Sequence, residues 1–185
     1  TELADYIRNC FERLAASGVE VHVVAYPVNP EAPFEFGEAS EANYYDRKEL
    51  DDQGLKDLVR GIDPQAIFCS GWIDEGYIST MQSVPFDINR VLISDNAFLG
   101  KIRDRASSIR AKSKFKRLFD YAFVSGEPQK VYAEKMGFKR SEIFTGFYTA
   151  DEATFASLST QNDEGAFPKR FVYAGRYLDF KGVFD

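Results

Sequence analysis

Apolar residues follow two alternating patterns along the chain. In some segments they recur every three or four positions, which is typical of amphipathic helices, and in others they form short continuous runs rich in β-branched and aromatic residues, which is typical of buried strands. The first pattern predicts helices at 1–18, 48–62, 76–82, 104–118 and 127–137. The second predicts strands at 19–27, 65–70, 90–94, 121–125 and 142–146, and a further short strand at 41–46.

This alternation predicts the fold class and the domain organisation. Helices that alternate with short apolar strands are typical of an α/β fold with a doubly wound, mostly parallel Rossmann-like sheet. We expect residues 1–148 to form this domain. Residues 149–166 lose the pattern and are rich in Thr, Ser, Asp, Asn and Gly, which indicates a linker. Residues 167–185 begin with a new apolar run, which predicts the first strand and turn of a second domain.

Charge is distributed unevenly along the chain. The net charge is −6, whereas residues 101–120 contain eight Lys or Arg and two Asp and therefore sum to +6, which leaves −12 for the other residues. A nucleic-acid-binding domain is normally basic overall, so nucleic acid is not an expected partner. The basic helix at 104–118 has two interpretations: a solvated helix face, which is the commoner case, or a peripheral contact with an anionic membrane.

Cysteine usage and hydropathy favour a cytoplasmic protein. Cys10 and Cys69 have no Cys-x-x-Cys or Cys/His cluster around them, so neither a disulfide framework nor a zinc site is indicated. No apolar stretch approaches the roughly 18 residues that a membrane-spanning helix requires. A reducing cytoplasm fits these features best, and the inner face of the membrane is the alternative if the basic helix binds lipid.

The segment AGRYLDFKG at 174–182 suggests an anion site. Gly175 allows a tight turn after the apolar run, Arg176 offers a planar guanidinium fork, and Lys181 brings a second cation to the helix that Gly182 would open. Two cations at a helix N-terminus suit a phosphate or diphosphate. The alternative is a turn with two solvated basic residues.

Two stretches of the sequence resemble glycosyltransferase family 4. RFVYAGRYLDFKGVFD is similar to the opening of that family's second domain, which has an apolar strand, Gly-Arg, a short turn and Lys-Gly. FDYAFVSGEPQKVYAEKMGFKRSEIFTGFYTADEATF is similar to the family's preceding stretch, in which a strand ending in Ser is followed by a helix, a Gly, a strand, a Gly turn and a Phe. The two matches cover residues 119–182 in the family's order and spacing.

The resemblance implies half of a GT-B fold and a fragment of a retaining glycosyltransferase. Such an enzyme would transfer a sugar from a nucleotide-sugar donor to a glycan or lipid-linked acceptor. By the family's pattern, Gly175, Arg176, Lys181 and Gly182 would bind the donor diphosphate, and the two cations would stabilise charge on the leaving phosphate. No Asp-x-Asp spacing occurs in the chain, which is consistent with a mechanism that uses no metal or other cofactor.

Candidate contacts with the acceptor or the sugar lie directly after the predicted strands. In open α/β sheets, ligands bind outside the carboxyl ends of the strands, so these positions are expected to share one edge. The candidates are Trp72, Asp74, Asp95, Asn96 and Ser125. Trp72 would stack on a sugar ring or, equally well, pack at the rim of the sheet. Carboxylates in loops are more often only solvated.

The chain departs from the family at several positions. The family has a strand and a Gly-rich turn before its first helix, whereas this sequence opens in that helix. The family's pair of glutamates would lie beyond Asp185, the last residue of this sequence. We therefore expect an incomplete, inactive piece. TGFY at 145–148 stands where the family often has Asn-Gly-Val-Asp. SDN at 94–96 stands at the end of a strand where the family often has a His. The alternative function is a non-catalytic, flavodoxin-like regulatory or ligand-binding domain.

Overall fold

The computed structural model describes residues 5–27, 40–71, 73–85, 87–97 and 115–148. The helices are α1 (Asp5–Ala16), α2 (Asp52–Ile62), α3 (Glu75–Ser83) and α4 (Glu127–Lys135), and residues 115–118 are also helical. The strands are β1 (His22–Ala25), β2 (Asn43–Asp46), β3 (Ala66–Ser70), β4 (Asn89–Ser94), β5 (Tyr121–Val124) and β6 (Ile143–Thr145). The chain divides into two compact units, Thr1–Asp151 and Glu152–Asp185, and all the described residues belong to the first.

All strand pairs among the described residues are parallel, which confirms the predicted α/β class with a Rossmann-like sheet. β1 pairs with β2 in a two-stranded sheet, and β3, β4, β5 and β6 lie side by side in that order. Each strand of the larger sheet therefore neighbours the next one along the chain. Because connections between parallel strands are right-handed, the helices between these strands lie on one face of the sheet.

The main hydrophobic core covers that face of the four-stranded sheet. Side chains alternate between the two faces along each strand, and those on the covered face share one buried cluster with α3, residues 115–119 and α4. The strand residues of the cluster are Cys69, Leu92, Ala122, Val124 and Ile143. On the opposite face, Phe68 and Phe144 are 56% and 54% exposed. The larger sheet is therefore anchored to its helices through one set of alternating residues.

A smaller core lies between α1 and the two-stranded sheet. Val21, Val23 and Ala42 are buried there, and Phe11 and Ala15 of α1 pack against them. The pairing of β1 with β2 extends to the residue before β1, since the Asn43 amide donates a hydrogen bond to the Val21 carbonyl over 2.8 Å. The element predicted at 41–46 is thus confirmed as β2.

Glu12 attaches α1 to the segment that enters β2. Its carboxylate accepts hydrogen bonds from the Tyr44 hydroxyl (2.7 Å), the Ser40 hydroxyl (2.8 Å) and the Glu41 amide (2.7 Å). Burial opposes ionisation of Glu12, but these hydrogen bonds outweigh it and lower the pKa to about 2. The carboxylate is therefore ionised throughout the neutral range, where it stabilises the contact between α1 and β2.

The predicted helix at 48–62 begins later than expected. Arg47–Glu49 form a 3-10 turn and Leu50 is extended, so α2 starts at Asp52. The cause is Asp51, which is the N-cap: its side chain accepts from the Gly54 amide over 2.6 Å. The other predicted helices and strands among the described residues are confirmed, with their ends shifted by a few residues. Most of the predicted basic helix, 104–114, lies outside the described residues, as do the predicted linker and second-domain strand.

Candidate functional site

Three of the predicted contact residues lie where the strands of the four-stranded sheet end. We call this side of the sheet, formed by the carboxyl ends of its parallel strands, the carboxyl edge. Ser94 at the end of β4 is the register partner of Val124 at the end of β5. Asp95 and Ser125 are the next residue of each strand, and Asn96 follows Asp95. Because neighbouring parallel strands are about 4.8 Å apart, these side chains begin from adjacent positions. The structure thus brings Asp95, Asn96 and Ser125 together.

Asp95 is exposed and only partly engaged. One carboxylate oxygen, Oδ2, accepts a hydrogen bond from the Tyr148 hydroxyl over 2.9 Å, and the Asp95 carbonyl accepts from the Gln129 side-chain amide over 3.3 Å. Within the part of the chain that the structure describes, Oδ1 of Asp95 and the side chains of Asn96 and Ser125 have no hydrogen-bond partner. This edge therefore offers carboxylate, amide and hydroxyl groups to a ligand.

Asp74, the fourth described candidate, has a different environment. It is the N-cap of α3 and accepts from the backbone amides of Gly76 (2.8 Å) and Tyr77 (3.2 Å). Arg47 donates to both carboxylate oxygens, over 3.0 and 3.1 Å, and the Tyr26 hydroxyl donates to Oδ2 over 2.7 Å. The Asp74 side chain is 12% exposed. A ligand hydroxyl would have to displace one of these partners, so the predicted sugar contact by Asp74 stays a prediction.

The environment of Asp74 also sets its charge. Burial alone would raise the pKa of the carboxyl group, but the hydrogen bonds from Arg47, Tyr26 and the Tyr77 amide outweigh burial and lower the pKa to about 2. The hydrogen bond from Tyr26 to Asp74, followed by burial and the charge of Asp74, raises the pKa of Tyr26. Burial, together with the charge of Asp74, raises the pKa of Tyr77 to about 12. At neutral pH the group is an ionised Asp–Arg pair flanked by two neutral phenols.

Tyr26, Arg47, Asp74 and Tyr77 form what we call the inter-sheet network. Tyr26 directly follows β1, and Arg47 follows β2, whereas Asp74 and Tyr77 follow β3 of the larger sheet. The Arg47 guanidinium carbon lies 5.5 Å from the centre of the Tyr77 ring, and the Tyr77 hydroxyl donates to the Val24 carbonyl of β1 over 3.2 Å. No strand pairing joins β1 to β3 among the described residues. The network therefore links the two sheets through side chains.

Two further residues, Gln129 and Tyr148, lie at the carboxyl edge and were not predicted from the sequence. Gln129 lies in the first turn of α4, and Tyr148 follows β6 after Gly146, whose φ of 99° is in the left-handed region that favours glycine. The Gly146 amide donates to the Val124 carbonyl over 3.0 Å, so the pairing with β5 extends one residue past β6, and the chain turns at Gly146. The only sequence signal for Tyr148 was the TGFY turn, which stood out as a departure from the family pattern.

The remaining predicted site residues lie outside the described residues: Trp72, Gly175, Arg176, Lys181 and Gly182. Within the described ranges, no group of three His, Cys, Asp or Glu side chains is arranged to hold a metal ion. The His22 ring lies between Glu20 and the Tyr45 hydroxyl, each 3.0 Å away. Burial raises the pKa of the Cys69 thiol to about 11, so this cysteine is not an activated nucleophile at neutral pH.

No family model matches the chain, and comparisons with curated proteins and with solved structures found no significant match. Among the helices that the structure describes, none has the length and apolar character needed to cross a bilayer.

Proposed function

We propose that the carboxyl edge of β4, β5 and β6 is the sugar-binding edge of the acceptor-side domain of a retaining glycosyltransferase. The observation that carries the proposal is that Asp95, Asn96 and Ser125 share this edge and present polar groups that the described protein does not use. Such an enzyme would take its sugar from a nucleotide-sugar donor and pass it to a glycan or lipid-linked acceptor.

The chemistry of these groups suits a polyhydroxylated ligand. A sugar hydroxyl both donates and accepts hydrogen bonds, so it needs partners of both kinds. The Asp95 carboxylate accepts, the Asn96 amide does both, and the Ser125 hydroxyl does both. Carbohydrate sites combine such polar groups with apolar surface, and Phe147 and Tyr148 supply that surface nearby. The edge is therefore chemically complementary to a sugar.

The donor half of the proposal comes from the sequence resemblance. Arg176 and Lys181 would bind the diphosphate, and as the bond to the sugar breaks they would stabilise the charge that grows on the leaving phosphate oxygens. A non-catalytic ligand-binding domain would use the same sheet edge but would not need these cations. Diphosphate binding through Arg176 therefore separates the two functions.

Saturation-transfer NMR with a panel of methyl glycosides tests the sugar-binding edge. We expect the wild-type chain to transfer magnetisation to at least one glycoside. We expect Asp95→Asn to reduce the affinity for this glycoside about tenfold, because the replacement removes the charged carboxylate that accepts a hydrogen bond from the sugar hydroxyl. Asp57→Asn is the matched control, since Asp57 is an exposed residue of α2 whose carboxylate accepts hydrogen bonds only from Gln53 and Arg60 among the described residues. No transfer to any glycoside would refute the proposed sugar site.

Phosphorus NMR of nucleotide sugars tests the donor half. We expect the resonances of UDP-, GDP- or ADP-linked glucose to broaden with the wild-type chain and to stay sharp with Arg176→Ala. Arg140→Ala is the control, because Arg140 is 67% exposed and pairs only with Glu127 and Glu134 among the described residues. Sharp resonances with the wild-type chain, combined with glycoside binding, would favour the non-catalytic domain instead.

A further inference from the structure

Tyr148 combines two features that other exposed aromatic residues of the described chain do not share. It is 45% exposed, and its hydroxyl donates to Oδ2 of Asp95 over 2.9 Å. Phe68 and Phe144 are more exposed, and their ring centres lie 6.4 Å from Phe123 and 6.0 Å from Tyr121, but a phenylalanine ring has no hydroxyl group that could bind a carboxylate. Exposed aromatic residues are ordinary on protein surfaces. It is unusual for the hydroxyl of an exposed ring to bind a carboxylate whose other oxygen, here Oδ1 of Asp95, has no hydrogen-bond partner among the described residues.

The Tyr148 ring is held in position at both ends. Besides the hydrogen bond at its hydroxyl, its centre lies 4.3 Å from that of the Phe147 ring at an interplanar angle of 43°. Phe147 packs in turn against Phe123 of β5, with ring centres 5.6 Å apart at 60°. These distances fall within the range of favourable aromatic pairs. The orientation of Tyr148 is therefore fixed through Phe147 by the sheet itself.

The position of Tyr148 places it across the candidate site. It follows β6, yet its hydroxyl bonds to the residue that follows β4, and β5 lies between these two strands. The contact thus spans the end of β5, where Ser125 is located. The left-handed turn at Gly146 directs the chain into this position. Tyr148, Asp95 and Ser125 consequently border the same part of the edge.

Sugar recognition makes use of this combination of groups. One face of a pyranose ring is formed largely by C–H groups, and this face packs against the electron-rich face of an aromatic ring while the hydroxyl groups at the rim bind polar side chains. An acyclic polyol has the hydroxyl groups but no rigid C–H face. An aromatic platform beside a carboxylate therefore distinguishes a pyranose from a flexible polyol.

We infer that Tyr148 is a specificity-determining residue that stacks against a pyranose ring whose hydroxyl groups bind Asp95. This inference rests on the proposed sugar-binding function and deepens it, because it specifies the ring form of the ligand and the residue that selects it. The Tyr148 hydroxyl positions the carboxylate of Asp95, and the Tyr148 ring supplies the apolar contact.

Titrations of sorbitol and of methyl β-glucopyranoside, or of another methyl pyranoside of the panel if only that one binds, test the inference. We expect the wild-type chain to bind the glycoside in preference to sorbitol. Tyr148→Ala should weaken glycoside binding about tenfold and abolish the preference, because the variant lacks the stacking surface. Tyr148→Phe should keep the preference, since the ring remains. Phe144→Ala, which removes another exposed ring near the end of β6, should leave binding unchanged. Tyr148→Leu serves as a second variant if Tyr148→Ala fails to fold by circular dichroism.

The outcomes separate this inference from the proposed function. If Tyr148→Ala and Tyr148→Leu bind the glycoside as the wild type does while Asp95→Asn does not, the sugar site stands and Tyr148 is not its platform. If Phe144→Ala loses as much affinity as Tyr148→Ala, the effect is not specific and the inference is wrong. If the wild-type chain binds no methyl glycoside, the proposed function and the inference both fall.

Discussion

At the scale of single residues, Asp74 and Asp95 differ in how many hydrogen bonds their carboxylates accept. Both follow a strand of the larger sheet within a few residues. Asp74 is 12% exposed and accepts from two backbone amides, an arginine and a tyrosine, whereas Asp95 is exposed and accepts from one tyrosine. The first is suited to hold the fold together, and the second is suited to bind a ligand. The two residues therefore call for different tests.

The lowered pKa of Asp74 predicts how stability depends on pH. A carboxyl group whose pKa falls from 3.8 to about 2 on folding stabilises the folded state above pH 4, and this contribution is lost as the pH falls toward 2. This contribution to the free energy of unfolding is roughly 2 kcal/mol at neutral pH, because one pKa unit corresponds to about 1.4 kcal/mol. We expect Asp74→Asn to lower the free energy of unfolding at pH 7 and to flatten its decline below pH 5, as measured by urea denaturation.

Glu12 also has a lowered pKa, so some pH dependence will persist in Asp74→Asn. Asp57→Asn is the control at an exposed position and should change neither the stability nor the slope. An Asp74→Asn variant with the wild-type stability at pH 7 would contradict the role assigned to Asp74.

Gly76 is the residue that leaves room for the inter-sheet network. A Cβ atom at this position would collide with Nη2 of Arg47 and Oδ1 of Asp52, and would lie 3.0 Å from Oδ1 of Asp74. We expect Gly76→Ala to displace the Arg47 guanidinium and to lower the free energy of unfolding by about 1–3 kcal/mol, measured by urea denaturation.

Gly61→Ala is the matched control for Gly76→Ala. Gly61 lies in α2, and nothing is within 4 Å of its added Cβ. Because alanine favours the helix, this replacement should be neutral or should stabilise the protein by about 0.5–1 kcal/mol. Equal effects at the two glycines would mean that the space around Gly76 is not limiting.

At the scale of elements, the inter-sheet network links the two-stranded sheet to the segment that follows β3. We expect Arg47→Met to increase amide hydrogen exchange in β1 and β2 roughly tenfold or more, while β4 and β5, whose residues Leu92 and Ala122 are completely buried, keep their protection. Arg60→Met is the control, because Arg60 is 61% exposed and pairs only with Asp57 among the described residues. A uniform increase in every strand would contradict a local attachment.

Elements were more predictable from the sequence than the contacts between them. β4 contains the apolar run 91–93 and β5 is the apolar run 121–124, each flanked by polar residues, so their location follows from local pattern alone. The start of α2 was misplaced because Leu50 continues the helical spacing although Asp51 caps the helix after it. Asp74 and Arg47 are 27 residues apart, and no local pattern connects them. Tyr148 was missed for the same reason, since its partner Asp95 is 53 residues away.

At the scale of the whole domain, the amino and carboxyl ends of the strands in the larger sheet differ in how their polar groups are engaged. We call these two sides of the sheet the amino edge and the carboxyl edge. At the amino edge, Arg90 forms an ion pair with Asp120 over 3.0 Å, and Lys116 forms one with Glu142 over 2.6 Å. The carboxyl edge presents the unengaged groups of Asp95, Asn96 and Ser125. Ligands of open parallel sheets bind at carboxyl ends, where helix N-termini also point. The asymmetry supports a ligand site at the carboxyl edge.

The most direct test of this account is to map where a sugar binds. In amide chemical-shift titrations of the isotope-labelled chain with each methyl glycoside of the panel, we predict that a glycoside that binds causes its largest changes at 95–97, 125–126 and 147–148. The amides of Asp120 and of 139–142, at the amino edge, should not move. Changes confined to the amino edge, or no changes at any residue, would contradict a sugar site at the carboxyl edge of the sheet.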